Sequence, residues 1–525
     1  MGLSRAARGC VVVFLVGALM CGCTKLDKHG MDRPVSISLD HLGTYETGVF
    51  DQSAAEIVAY HAGTKHLIFT NGSENGVTFL DISSPRTPEA KRSVRFHGGV
   101  NSVAVHGDVV AVAVAATKKQ DPGAVVFLTP QGEVTGSVAV GALPDMVCFT
   151  PDGRYLLTAN EGEPSEDYRD DPEGTVSIIS MARGAERVGQ RDVRTVRFRG
   201  TPLSGGVRIT GPSGTLPERD LEPEYIAVTP DSRFAYVSLQ ENNAVAKIDI
   251  EAGRVEMVRG LGAKDHNMEG TGFDASKKDN GVRIRPWPVK GLFMPDAICA
   301  YEAGDRVFLV SANEGDGREY GHYSDEVKVK NLGLDPARFP FREHLVREQN
   351  LGGLVVSARD GDVDGDGDMD VLYSFGARSF SIWDEDLNLV FDSGSALETL
   401  VASRYPNHFN ASNTKNAFDN RSPKKGPEPE GMTLGEIGGR TYAFVLLERV
   451  GGIVVYDITD PTSPAFKSYT NRRRFDVSAK SSEAGDLGPE GAVFISANES
   501  PNGESLLAVA NEVSGTVSLY HVISK

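Results

Sequence analysis

Two patterns of acidic residues in this 525-residue sequence could hold cations. The first is spread along the chain. Short apolar segments open on an acid, usually after proline: Asp145, Glu224, Asp296, Glu430 and Glu490, with Glu56 at the same phase but without the proline. A further acid stands at the end of the next apolar segment in most copies: Glu161, Glu241, Glu314, Glu448 and Glu512. Carboxylates gathered at one place repel each other unless cations or hydrogen bonds compensate. The second pattern is the run DGDVDGDGDMD at 360–370. Alternating Asp with Gly at the bend supplies several oxygens from one short loop, which suits Ca²⁺. Two registers fit. One starts at Asp360 and uses Asp362, Asp364, Asp366 and Asp368; the other starts at Asp362 and uses Asp364, Asp366 and Asp370. Neither has Glu at position twelve, where Val371 or Tyr373 stands, so this is not an ordinary EF-hand.

The elements that must position these acids are hairpins. LPDMVCFTPDGRYLLTANEGE at 143–163 holds an apolar strand, a Pro-Asp-Gly turn and a second apolar strand. The unit recurs at 222–241, 294–315, 428–449 and 489–512, with weaker copies from Ala54 and Val100. A third strand follows each hairpin, as in GVTFLDI, AVAKIDI and TVSLYHV, and a fourth usually follows that. Glu56, Asn101 and Asp145 are spaced by 45 and 44 residues, the length of a propeller blade. The fold expected is all-β: a seven-bladed β-propeller over residues 34–525, closed by an N-terminal strand from Pro34 that completes the last blade. Paired antiparallel strands put the start of one beside the end of the next. Both acid sets then fall on one face, around the central channel. Asp and Glu in tight turns also cap backbone N–H groups, and that simpler role stands beside the cation reading. Insertions near 161–174 and 314–352 enlarge the same face.

Charge and composition set the class. There are 72 acidic and 54 basic side chains, a formal net charge of −18, which excludes a basic nucleic-acid binder. Five cysteines in this length make no disulfide framework. Residues 1–23 carry Arg5 and Arg8, an apolar run from Val11 to Met20, and Cys21-Gly22-Cys23. That order reads as a lipoprotein signal peptide with lipobox, followed by a short linker at 24–33. Cys23 suits lipidation better than Cys21, because small Gly22 precedes it and bulky Met20 precedes Cys21. Simple secretion is the alternative. The expected location is the bacterial cell envelope, attached to membrane through the lipid, on the outer membrane or cell surface; a monomer is expected.

ANEGDGREY at 312–320, DASKKDNG with WPVKGLFMPDAI at 287–298, and LYSFGARSFSIWD at 372–384 are similar to the choice-of-anchor I β-propeller family. So are residues 426–461 and 486–516. The resemblance covers the chain from about Ile37 onward. It implies an exported surface propeller without an established reaction, although some members carry an alkaline-phosphatase label. Positions that match include Asn160, Asn313, Arg318, Glu319, Tyr320, Arg378 and Arg449, besides the acids Asp145, Glu161, Glu224, Asp296, Glu314, Glu430 and Glu448. The stretch from Asp419, DNRSPKKGPEPEG, is less acidic than the family pattern.

No P-loop, HExxH or GxSxG occurs, and the eleven histidines do not cluster. Two functions remain. The leading one is a lipid-anchored, Ca²⁺-stabilised propeller that binds or scaffolds a ligand or protein partner not named by the sequence. The other is a Ca²⁺-dependent phosphoesterase at the channel mouth, with Arg318, Arg378 or Arg449 engaging the phosphoryl group.

Overall fold

The computed structural model describes residues 36–525; the signal peptide, the linker and Cys23 lie outside the described residues. Strands dominate. Six four-stranded sheets and one five-stranded sheet follow one another along the chain. They span 58–95, 100–142, 144–197, 203–260, 298–392, 429–470 and 489–524, the last taking Ile37–Glu46 as its fourth strand. Ile37–Glu46 runs antiparallel to Thr516–Ser524, from Ile37 opposite Ser524 to Glu46 opposite Thr516. The first strand of each sheet packs beside the first strand of the next, and Pro489–Ile495 packs beside Val58–His61.

This packing explains the composition of the strands. Middle strands such as His66–Asn71, Val109–Val114 and Tyr155–Asn160 are buried along nearly their whole length, because both sheet faces are covered by neighbours. Their side chains build apolar cores between successive sheets. Leu157, Ile178, Ala235 and Val237 share one, and Phe380, Leu397, Val445 and Tyr456 share another. The outermost strand of the first sheet, Glu89–Arg95 (EAKRSVR), is largely exposed, and its charges discourage edge pairing. Hairpin turns repeat their chemistry too. Asp152 Oδ1 accepts from Thr150 Oγ1 and Arg154 N–H, and Asp231 does the same with Thr229 and Arg233.

Three stretches depart from the repeat. The segment after Asn313 runs on to residue 378 before the third strand, Ser379–Asp384, begins. With residues 261–297 it forms short strands and a core of its own, including Phe273, Trp287, Val329, Leu351 and Leu372. LYSFGARSFSIWD is therefore not one strand. Tyr373–Ser374 pairs parallel with Lys290–Leu292 in that small sheet, and only Ser379–Asp384 joins the large one. The break falls at Gly376 (φ +69°) and Arg378 (φ +56°). A Cβ on Gly376 would lie 2.0 Å from the Glu314 carbonyl oxygen, so the turn requires glycine. The Asp-rich loop accordingly sits on the insertion, not on the large sheet. Residues 393–428 are the third departure and include a nine-residue helix, Ala396–Arg404. Among the described residues no helix is long and apolar enough to cross a membrane.

First strands approach closely where a glycine follows the opening acid, as at Gly431 and Gly491. A Cβ on Gly431 would meet the Glu490 carbonyl oxygen at 1.6 Å. Gly431→Ala is expected to destabilise the protein by ~1–3 kcal/mol through overpacking. Gly189→Ala, with nothing within 4 Å of the added methyl, should stay within ~0.5 kcal/mol. Denaturant unfolding of the two variants checks this contrast.

Candidate functional site

In three sheets the acid that opens the first strand is placed by a defect in the ladder. In the third sheet Pro144 pairs with Asn160 and Met146 with Ala159, leaving Asp145 as the extra residue of a bulge. Glu430 with Gly431, Glu490 with Gly491, and Asn101 in the second sheet occupy the same kind of register shift. A bulge re-aims a side chain out of the alternating pattern. The residue closing the second strand is anchored differently. The Asn160 side-chain amide donates to Thr175 and Ser177, and that of Asn313 to Ser379 and Ser381. These amides tie second strand to third, so the following Glu161 and Glu314 leave the sheet from fixed points.

The carboxylates gather in groups of three rather than one even ring. Glu161, Glu224 and Glu241 place oxygens within 4.8 Å of one another; so do Glu56, Glu490 and Glu512, and Glu314, Glu428 and Glu448. Glu56, Asp145, Glu161, Asp296 and Glu490 also line a cavity of about 430 Å³, joined by Lys119 and Glu163. Of the eleven acids that open or close the strands, only Glu314 and Glu448 have an ion-pair partner among the described residues, Lys425 and Arg449. Buried oxygens of Glu224, Glu241, Glu430 and Glu448 have no hydrogen-bond donor among the described residues.

Burial and mutual repulsion raise these carboxyls. Glu56 is pushed up to about 8 by desolvation, then Glu512 and Asp145. Burial, then Glu163, takes Asp145 to about 6. Burial takes Glu314 to about 7 despite Lys425. Burial, then Glu448, takes Glu512 to about 7. Glu161, Glu224, Asp296, Glu430 and Glu490 are all held well above the usual carboxylate range, by burial first and neighbouring acids second. Glu428 is the exception. Burial would raise it, but Lys425, Arg449 and Arg421 bring it down to about 2.

The arginines are already engaged. Arg318 is buried, donating to Glu222 Oε1 (2.6 Å) and the Asp220 carbonyl (2.6 Å). Arg378 donates to Glu398 (2.7 Å) and to the carbonyls of Asp274, Ser422 and Lys424, not to a channel carboxylate. Arg449 pairs with Glu428 (2.8 Å) and Glu448. Glu319 and Tyr320 form a two-residue strand, and Tyr320 packs edge-on to Tyr168, joining the two insertions. Glu222, Glu428 and Lys425 escaped the sequence reading. Their signal was the Glu-Pro-Glu spacing shared by 222–224 and 428–430.

In the Asp-rich loop, Asp362, Asp364 and Asp370 bring oxygens within 4.8 Å of one another. Asp362 accepts from Gly365 and Gly367 N–H, and Asp370 from Val363 N–H. Asp366 accepts from Asp368 N–H. Asp360 is not in this group: its carboxylate holds Arg208 and Ser357. The geometry follows the register that starts at Asp362.

Residues 56–461 match the choice-of-anchor I domain. Gigasin-3a of Magallana gigas is 34% identical over 184 residues, covering 33% of this chain and 64% of that protein. The mesenchyme-specific cell surface glycoprotein of Strongylocentrotus purpuratus is 27% identical over 362 residues, covering 61% of this chain and 43% of that protein. The chain thus spans less than two thirds of either relative. A solved β-propeller domain, Cps50 (Swd1) of Myceliophteria thermophila, superposes with a TM-score of 0.40 at 9% identity, covering 93% of this chain and 100% of that one.

A carboxyl raised in the folded state keeps a proton that the unfolded chain has released. With Glu56 near 8 and Asp145 near 6 against unfolded values of 4.5 and 3.8, the folded protein binds more protons throughout that window. Stability then falls as pH rises. In chelator, the melting temperature should fall steadily from about pH 5 to about pH 8. A flat or rising profile contradicts the burial of these acids without cations.

Proposed function

The chain belongs to the choice-of-anchor I domain family, and on that premise we propose that it is an exported, surface-attached β-propeller that holds Ca²⁺ in an acidic channel and acts as a binding or scaffold protein of the cell envelope. The cyclic order of the seven sheets and the pairing of Ile37–Glu46 with Thr516–Ser524 support a seven-bladed ring closed by that strand. The Gly22-Cys23 junction after an apolar run supports a lipid anchor, and the sea-urchin relative's name supports a surface location.

One observation carries the cation reading. Most of the channel acids have no ion pair among the described residues, yet six of these, Glu56, Glu161, Glu224, Glu241, Glu490 and Glu512, sit in two groups of three whose oxygens lie within 4.8 Å. Charges so placed cost several kcal/mol each unless neutralised. Hard oxygen donors without imidazole or thiolate select Ca²⁺ over transition metals. Asp362, Asp364 and Asp370 supply a separate, exposed Ca²⁺ site by the same logic. The phosphoesterase reading is the weaker one. It needs a guanidinium at the mouth, and Arg318, Arg378 and Arg449 are each committed to buried carboxylates.

Calorimetric titration of the chelator-stripped protein with Ca²⁺ tests this. Pairing Glu161→Gln with Glu224→Gln should weaken channel binding at least tenfold, about 1.4 kcal/mol. Asp364→Asn should remove a different class of site. An isotherm unchanged by the Glu161 and Glu224 substitutions would contradict a channel cation.

A further inference from the structure

A third acidic group lies outside the channel and outside the Asp-rich loop. Asp274 and Asp279 belong to the segment between the fourth and fifth sheets, and Asp419 to the segment between the fifth and sixth. The three are 0%, 6% and 1% exposed, far drier than the 360–370 loop. One oxygen from each lies within 4.8 Å of the others. Their placement is rigid. Asp274 Oδ1 accepts from Ser276 N–H (3.1 Å) and Oδ2 from Arg283 N–H (2.5 Å), and Ser422 Oγ donates to Asp419 Oδ1. The Asp419 N–H is itself held by the Phe409 carbonyl (2.7 Å).

Two further oxygens decide the reading. Asp279 Oδ1 and Asp419 Oδ2 are buried and have no donor among the described residues. Buried acceptors are ordinarily satisfied, and an unmatched carboxylate oxygen is costly. Among the described residues the one cation paired with the group is Arg283, 3.5 Å from Asp279 and more than half exposed. Arg378, nearby, is matched by Glu398. A single screened guanidinium cannot balance three buried carboxylates. Consistent with that, burial first and then neighbouring acids lift Asp419 to about 8.

We propose that Asp274, Asp279 and Asp419 form a buried Ca²⁺ site that fastens these two inter-sheet segments to each other. All donors are oxygen, and two come already oriented by hydrogen bonds, as ligating carboxylates usually are. A divalent ion neutralises the group and satisfies the orphan oxygens together. This site is independent of the channel, and its test separates the two.

Bound Ca²⁺ per chain is measured by mass spectrometry after equilibration with Ca²⁺ or Mg²⁺ and desalting, on the full chain and on Asp279→Asn, Asp419→Asn and Asp364→Asn. Each of the first two should bind one Ca²⁺ fewer than the unmodified chain. Combining Asp419→Asn with Asp364→Asn should lose two, whereas the Glu161 and Glu224 substitutions leave this site occupied. In the unmodified chain, Ca²⁺ should slow hydrogen exchange at the Arg283 and Asp419 amides, a readout that needs no variant. An unchanged Ca²⁺ count in Asp279→Asn and Asp419→Asn, with Asp419→Asn melting higher in chelator and in Ca²⁺ alike, overturns the proposal. That pattern belongs to carboxyls sharing a proton. Exchange at Arg283 and Asp419 indifferent to Ca²⁺ overturns it equally.

Discussion

Uncompensated carboxylates gathered from the ends of successive sheets are the constraint on which the rest of this structure turns. A sheet protein could bury apolar side chains at its centre, yet here Glu56, Asp145, Glu161, Asp296 and Glu490 line the central cavity. Their mutual repulsion grows as water is excluded. Something must hold them together against it. The apolar cores between successive sheets do the holding, because each sheet is buried on both faces and cannot splay without exposing its neighbours.

The backbone delivers the acids to that place by a repeated device. A proline precedes the acid, the ladder slips by a residue, and the bulged carboxylate turns out of the sheet, as at Asp145, Glu430 and Glu490. Gly431 and Gly491 follow the acid because the neighbouring strand's carbonyl passes where a Cβ would stand. Proline, acid and glycine are thus one unit of geometry. Its cost in electrostatic energy is met by a ligand or by protons, and the raised carboxyls express the second state.

Much of this was legible in the residues. Hairpin spacing and the proline-acid phase can be read directly, since they depend on local turn chemistry and a two-residue period. The grouping into threes could not. It depends on which strand ends converge, on Glu428, two residues before a recognised acid, and on which arginine reaches which carboxylate across the insertions. Arg318 and Arg378 looked available because sequence shows charge without its partner; Glu222 lies 96 positions away and Glu398 lies 20. LYSFGARSFSIWD misleads for a related reason. Its apolar pattern is continuous, but Gly376 and Arg378 take left-handed conformations, and the two halves serve different sheets. The buried Asp274, Asp279 and Asp419 were equally invisible, being brought together from two segments that each read as loops.

The central claim is that the channel carboxylates hold a divalent cation. Crystals grown with Ca²⁺ and measured for anomalous scattering test it most directly. The account predicts a peak between Glu161, Glu224 and Glu241, with carboxylate oxygens at about 2.3–2.6 Å. Anomalous peaks confined to the 360–370 loop, with the three glutamates bonded to one another through protons, would contradict it.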